Sequence, residues 1–586
     1  MKFAFKPIAI AAALAFIGTA AVASPMKPGT YTAKVNGHNA PLTVEVTVDA
    51  NKILSIKTPD DQESLGVGKV GLKKTADNIL RYQSIGVDAV TGATFSSNAL
   101  KEGVEKCLKQ AGADMKQFTR KAEKHPIHNR TYQADVVVIG GGGAGLASAI
   151  SSMQAGAKKV IVLEKLGYVG GSTNVSEGAL NAVDDQRQKA QGIKDSYETF
   201  YETTMHGGHD KGDPTLVRFL TSHSMDAVNW LESLGVKFND HIGAATGSLG
   251  QRSHYPATPY GNTYIRTFEK VIADSNGKIQ VLLDTPAVKL IQNKSGRVVG
   301  VVGNNFGSKV TVMAKDGVII ATGGFGANVA YRQKVNTGVW KNIKLDNSIG
   351  CTNIQKAAQG QGLFLAQKVG AKLIGLSDIQ IHPCGTPGTG LMENIRTSGR
   401  NRIFVNSDGN RFVNEGAARD VLANAIFQQK GRTYWIVVNK LRYPTPDFKD
   451  RMGASIRNME ALGAVVEAPT LDELAKKTGM NAENLKKAIA DYNAVVSGKA
   501  KDKLGFVANN KDDKQMTEGP WYACRKVPTV HHTMGGIKIN VKSQVINTKG
   551  KVIPGLYAVG EVTGGIHGSN RLGGNAIADI MTFGHA

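Results

Sequence analysis

Cysteine is scarce: Cys107, Cys351, Cys384 and Cys524 are the four in 586 residues, and they stand far apart. With no Cys-x-x-Cys pair the chain offers neither a zinc-ligand nor an iron–sulfur spacing, and with no Cys-x-x-Cys-His it carries no c-type haem. Any redox chemistry must then use organic cofactors or a partner's metal. Beyond the N-terminus no run of about twenty uninterrupted apolar residues occurs, so no membrane span is expected in the mature chain. Aromatics are only 6% and no dense basic run interleaves with them, so the net charge of +23, from 71 Lys+Arg against 48 Asp+Glu, argues against nucleic acid. An acidic redox partner or an anionic substrate fits that surplus. Glycine is the residue in excess: 68 against 18 prolines, with no collagen period, which indicates loops where backbone approaches a ligand closely.

The length predicts two or three domains. Basic Met1–Lys6, an apolar run from Ile8 to Ala20 and the small residues Ala21-Val22-Ala23-Ser24 predict a cleavable signal peptide over residues 1–23 and a periplasmic location. Residues 24–118 alternate apolar and polar side chains around Tyr31 and Leu42. They then place Leu100, Val104, Cys107 and Leu108 on one helical face from Asn98 to Ala111, the pattern of a small α+β unit. A Lys-rich linker follows at 119–130, with Pro126 in it. From Tyr132 the grammar becomes strand, glycine loop and helix, the opening of a doubly wound α/β sheet. That sheet is expected over 131–377 and again over 531–586, with an α+β clamp inserted at 378–530. Within the clamp, Leu471 to Val496 reads as one amphipathic helix carrying Leu474, Leu485, Ile489, Tyr492 and Val495.

The buried strand Asp135–Ile139 runs into Gly140, Gly142, Ala144 and Gly145, a Gly-x-Gly-x-x-Gly loop opening a helix. A second strand, Lys159–Leu163, ends at the acidic Glu164. Those glycines allow a tight turn and let backbone N–H groups reach a pyrophosphate, while the acid takes ribose hydroxyls. Three more glycine loops follow: Gly171-Ser172-Thr173, Thr322-Gly323-Gly324 and Gly560-Glu561. This distribution resembles the flavoprotein subunits of the fumarate reductase and succinate dehydrogenase family, in which such loops wrap an extended, noncovalent FAD. The resemblance runs from about Tyr132 to the C-terminus, implies a Rossmann-like FAD domain, and adds Asn575, Ala576 and Ile577 to the cofactor site.

Four segments extend the resemblance to an active site: Gln380-Ile-His382-Pro383, Asn410-Arg411 to Arg419-Asp420, His531-His532-Thr533-Met534-Gly535-Gly536, and His567 to Asn570-Arg571-Leu-Gly-Gly. By matching position it implies that His382, His531 and Arg571 hold a substrate carboxylate and that Arg419 gives a proton to the substrate carbon. Glu393 and Arg396 keep the Glu-x-x-Arg spacing of the family's proton relay. The threonine that usually precedes the Glu is replaced by Met392, and Asn394 or a neighbour is left to take its part. This departure opens the choice among fumarate, urocanate, acrylate, methacrylate and a cinnamate.

Asp88-Ala-Val-Thr-Gly92-Ala93-Thr94 resembles the flavinylation motif of FMN-binding domains in sodium-pumping quinone reductase subunits and multidomain periplasmic reductases. It implies FMN esterified to Thr94 by a flavin transferase. Together the resemblances imply a periplasmic FAD- and FMN-dependent reductase of an α,β-unsaturated carboxylic acid used in anaerobic respiration. Its electrons would come from a periplasmic cytochrome or a membrane quinol dehydrogenase and pass from FMN to FAD to substrate. A dehydrogenase working in reverse and a non-catalytic flavin electron carrier are the rival readings; the second has no need of Arg419.

Overall fold

Leu42, Val44, Val46 and Val48 point to one side of the strand Pro41–Val48, and polar neighbours alternate with them. That strand is the middle of a three-stranded antiparallel sheet, between Gly29–Asn36 and Ile53–Lys57. A computed structural model describes residues 25–122, 125–258, 260–508 and 512–586, so the expected signal peptide lies outside the described residues. The helices Gly68–Tyr82 and Thr94–Gln110 share the small sheet's core, where Leu100, Val104, Cys107 and Leu108 are fully buried. Gly103 lets the second helix ride close: a Cβ there would stand 2.4 Å from Val44. This helix begins at Thr94 rather than Asn98, because its first turn carries exposed Thr94 and Phe95 and so lacks the apolar stripe that periodicity detects.

The large sheet is built on Arg130–Ile139, whose Val137 and Val138 are buried. Val138 stands in register with Val162 of Val160–Leu163 on one side and with Ile319 of Ser308–Ile320 on the other, all three parallel. Ile279–Leu282 extends the first flank and Val552–Ala558 the second, also parallel. Apolar runs such as Val-Ile-Val-Leu suit strands covered on both faces. The C-terminal segment thereby joins the sheet that opens near Tyr132, and its helix Asn575–His585 packs along the helix Gly143–Gln154.

A third sheet orders Ile379–Gly385, Trp521–Thr533, Tyr434–Asn439 and Arg402–Val405, with Val465–Ala468 also on the long strand. Trp521–Thr533 runs unbroken past position 530, so the sheet of the inserted segment and the His-His-Thr motif are one piece of backbone. The stretch Leu471 to Val496 is two helices, Leu471–Thr478 and Ala482–Val496, not one. Gly479 ends the first in the left-handed region (φ 79°) and the Asn481 side chain caps the second by accepting the Asn484 N–H; these two residues override the shared apolar spacing.

The small N-terminal unit lies against the large sheet's loops. Val90 and Ala93 pack on Leu166 and Tyr168, and the Tyr168 hydroxyl donates to the Gly92 carbonyl at 3.2 Å. Because Leu100 is the fully buried centre of the helix that presents Thr94, Leu100→Ala should cost about 3 kcal/mol, a typical loss for a buried leucine. Urea denaturation of the full-length chain measures it.

Candidate active site

Between the first glycine loop and the strand ends lies a cleft lined by Gly140, Gly142, Ala144, Glu164, Gly171, Ser172, Thr173, Thr322, Gly323, Gly324 and Glu561. Gly140 has φ 105°, and a Cβ on it would meet the Ala321 carbonyl at 2.4 Å. Gly145 does not line the cleft. Its bare Cα lets the helix Gly143–Gln154 sit on the turn, since a Cβ would stand 1.9 Å from the Gly140 carbonyl. Helix Gly143–Gln154 has no side-chain cap at Gly142, which leaves its first N–H groups facing the cleft region for an anion.

Glu164 sits at the cleft edge, buried, and its two oxygens accept the N–H groups of Gly141 and Leu166, both at 2.6 Å; burial pushes its carboxyl upward. Thr322 Oγ1 is buried and has no partner among the described residues. Glu561 accepts the Thr533 N–H at 3.0 Å, and burial raises its carboxyl to about 7. An extended dinucleotide fits these features: bare backbone at the turn, an uncapped helix start and an unsatisfied hydroxyl. Gly560 turns the chain at φ 73°, while Asn575, Ala576 and Ile577 begin the C-terminal helix behind the cleft. Asn575 is bound to Asn181 and Thr204. Sequence reasoning missed Lys165 and Gln361, which line the cleft and join across it at 2.7 Å, because neither belongs to a glycine motif.

The strand Ile379–Gly385 brings the other motifs together. Gln380, 2% exposed, donates to the Asn570 side chain (2.8 Å) and to the Arg571 carbonyl (2.6 Å), and its amide oxygen accepts Arg419 Nη1 at 2.9 Å. Arg419 also donates from Nε to the Thr246 carbonyl at 3.0 Å. His382 and His531 stand with ring centres 4.7 Å apart, and His531 shares a 2.6 Å hydrogen bond with Thr352. His382 Nε2 and Arg571 Nε are buried with no partner among the described residues. Gln380 lay inside a quoted motif without a role, and Thr352 had no local signal; both emerge only from tertiary contact.

Burial depresses both His382 and His531 well below the usual imidazole range, followed for His382 by the surrounding arginines and for His531 by His382 and then the same arginines. Burial, then Arg571, lowers the Arg419 guanidinium, against the pull of Glu177. Arg571 falls to about 10 through burial, offset by Glu561 and Asp579. The site thus combines arginine cations with neutral imidazoles, an arrangement whose chemistry suits an anionic group such as a carboxylate. His532 and His567 stack edge to face behind it, with His567 held by Asp579 at 3.1 Å.

The two residues expected to form the proton relay part company. Arg396 is half-buried, and its Nη1 lacks a partner among the described residues, as does the Oγ1 of buried Thr397. Glu393 instead pairs with His38 of the N-terminal unit at 2.9 Å. The carboxylate whose charge acts on Arg419 and Arg396 is Glu177, which accepts from Ser398 at 2.8 Å and faces Arg451 at 3.4 Å; Arg396 heads the cations that outweigh its burial and hold it low. No motif marked it. Asn394 sits half-buried in a left-handed turn at φ 62°. In the N-terminal unit, Thr94 is exposed at the start of its helix after Gly92 (φ 92°), and Phe95 beside it is 65% exposed.

Comparison with known proteins agrees with these two cofactor regions. The FAD binding domain family matches residues 135–577 and the FMN-binding domain family matches residues 37–109. The chain is 34% identical to a urocanate reductase of Eggerthella lenta over 561 residues, covering 94% of this chain and 90% of that protein. It is also 34% identical to an NADH:acrylate oxidoreductase of Vibrio harveyi over 95% of its own length, and spans 60% of that longer protein. Among solved structures, the open conformation of a flavocytochrome c3 fumarate reductase matches with a TM-score of 0.61 and 34% identity, over 78% of this chain and 77% of that one. Given the contact at Ala321, Gly140→Val should abolish FAD binding. Acid extracts of the purified variant would contain no released FAD, where the parent releases it.

Proposed function

The chain belongs to the FAD-binding flavoprotein family that includes fumarate and urocanate reductases, and on that premise we propose that it reduces the double bond of an α,β-unsaturated carboxylate. One observation carries this reading: Arg419 and Arg571 are held by a single buried glutamine, Gln380, beside unpartnered nitrogens of His382 and Arg571. When bound, FAD in the cleft around Gly140, Glu164 and Thr322 and FMN carried at Thr94 would supply the redox chemistry, delivering reducing equivalents to the substrate double bond. Arg571 clamps the carboxylate. His382 and His531, neutral at physiological pH, donate to it without adding charge repulsion. As negative charge builds on the carboxylate, these donors bind it more tightly than in the ground state.

Arg419 gives its proton to the α-carbon, a transfer eased by the burial and the Arg571 charge that lower its hold on that proton. A carboxylate must then restore it. Glu177 faces Arg419 electrostatically and takes that part in this proposal, while Glu393 is engaged by His38. On the substrate loop, unpartnered Arg396 Nη1 and Thr397 Oγ1 favour a polar distal group, as in fumarate or urocanate, over the methyl of methacrylate or the phenyl of a cinnamate.

Thr94 is proposed to carry FMN as a phosphate ester made by a flavin transferase, supported by its exposure and by the glycine turn before it. A periplasmic cytochrome or membrane quinol dehydrogenase is the proposed donor, and the +23 charge suits an acidic one. No helix among the described residues is long and apolar enough to cross a membrane.

Two tests follow. With reduced viologen as donor and fumarate, urocanate, acrylate, methacrylate and cinnamate as acceptors, Arg419→Ala should lower kcat roughly a hundredfold or more, while both flavins stay bound and reducible. Undiminished turnover would sink the reading. Thr94→Ala should leave FAD in place and remove the flavin that stays with the acid-precipitated polypeptide.

A further inference from the structure

The ion pair between His38 and Glu393 links two parts of the molecule with separate tasks. Glu63, 4% exposed, holds His38 in place by accepting its backbone N–H at 2.7 Å. The other oxygen of the same carboxylate accepts the Ser96 hydroxyl at 2.5 Å, in the first turn of the helix that starts at Thr94. Phe95 stands 5.5 Å from the His38 ring. His38 is therefore tied to the end of the N-terminal unit that presents Thr94.

On the far side, Glu393 begins the loop that leads to Arg396 and Thr397. Its carbonyl accepts the fully buried Lys526 ammonium, so the loop is fixed at its backbone and held at its side chain by His38. A second contact repeats the pattern. Gln62, whose carbonyl accepts the Asn39 amide, takes Lys449 Nζ at 2.8 Å, and two residues on Arg451 faces Glu177 at 3.4 Å. One edge of the N-terminal unit thus touches both segments that carry Arg396 and the Glu177 partner.

We propose that His38 is a positioning residue for the substrate loop: through Glu393, docking of the N-terminal unit holds the 392–400 loop in the shape that receives substrate. The consequence is a coupling between docking of the flavin-bearing unit and substrate affinity, carried by the His38–Glu393 pair. The inference rests on the contacts, and does not depend on which acid is reduced.

Burial disfavours the charged His38 ring, but the hydrogen bond and charge of Glu393, with Asn39 and Glu63, outweigh it and raise His38 to about 9. A raised value means that the ion pair is complete below the ordinary imidazole value of 6.5 and is lost as pH climbs through about 9. The groups facing His38 are Glu393 and Glu63, the Asn39 amide and the Phe95 ring, and Lys526 braces the Glu393 backbone.

The test uses the full-length holoenzyme with His38→Ala, Glu393→Gln and the double variant, each checked for FAD and covalent FMN content. Hydrogen exchange over residues 392–400 should quicken in His38→Ala with both flavins retained. KM for the acid that is turned over should rise roughly threefold to fivefold with kcat kept, the size of a half-exposed ion pair. The double variant should be no worse than the worse single one. Parent KM should rise above pH about 9, and His38→Ala should show no such step. Unchanged loop exchange and KM in His38→Ala overturn the proposal. So does a large kcat loss in Glu393→Gln with His38→Ala silent, which would place Glu393 in the chemistry instead. If no acid is reduced at all, the functional reading fails while the exchange measurement still decides this one.

Discussion

Three arginines converging on buried space is the constraint from which the site follows. A guanidinium withdrawn from water is costly unless its protons are accepted, and like charges nearby add to that cost. Here the protein answers mostly with dipoles: the Gln380 amide oxygen and the Thr246 carbonyl for Arg419, and the Leu572 carbonyl for Arg571. The carboxylates act on them through charge, Glu177 on Arg419 and Glu561 on Arg571, without a direct ion pair to either. A direct Asp or Glu partner would have neutralised each arginine and closed it to an anionic ligand. Dipoles hold the cation while leaving its charge available.

The architecture makes such a cluster possible because the site is assembled from separate structural pieces. Gln380 and His382 come from a strand whose every side chain is buried, paired with Trp521–Thr533, which itself delivers His531. Arg571 sits just ahead of the C-terminal helix that packs on the first glycine-loop helix. Arg419 opens the helix Arg419–Phe427, so a cation stands at the N-terminal end, where the helix field disfavours it. That placement works in the same direction as burial and Arg571, toward a guanidinium more willing to release a proton.

How much of this the sequence disclosed depended on distance along the chain. Gly140, Gly142 and Glu164 are legible because a turn, a helix start and the end of the next strand fall within one strand–loop–helix–strand unit, and the chemistry of dinucleotide binding dictates their spacing. Arg419 and Arg571 were legible only through resemblance, since an isolated arginine has no local signature. Glu177, Thr352 and His38 were illegible. Their partners lie 221, 179 and 355 residues away respectively, the last being 393 less 38. The two helices read as one between Leu471 and Val496 show the opposite failure: apolar spacing continued across a break that Gly479 and Asn481 impose on the backbone.

The unsatisfied atoms give the site its direction. His382 Nε2, Arg571 Nε, Arg396 Nη1 and Thr397 Oγ1 are buried without a protein partner among the described residues, and each such atom carries a desolvation penalty. On the reading proposed above, a carboxylate would relieve some of them, so that ligand binding would recover free energy that folding left unrealised. The recovery is largest when the ligand's charge is largest. In the reduction of an unsaturated acid that moment is the enolate-like transition state, where electrons arriving at the β-carbon appear as added charge on the carboxylate. Groups left unsatisfied in the protein, and only partly satisfied by a resting acid, would under the proposed function lower the barrier rather than merely tighten binding.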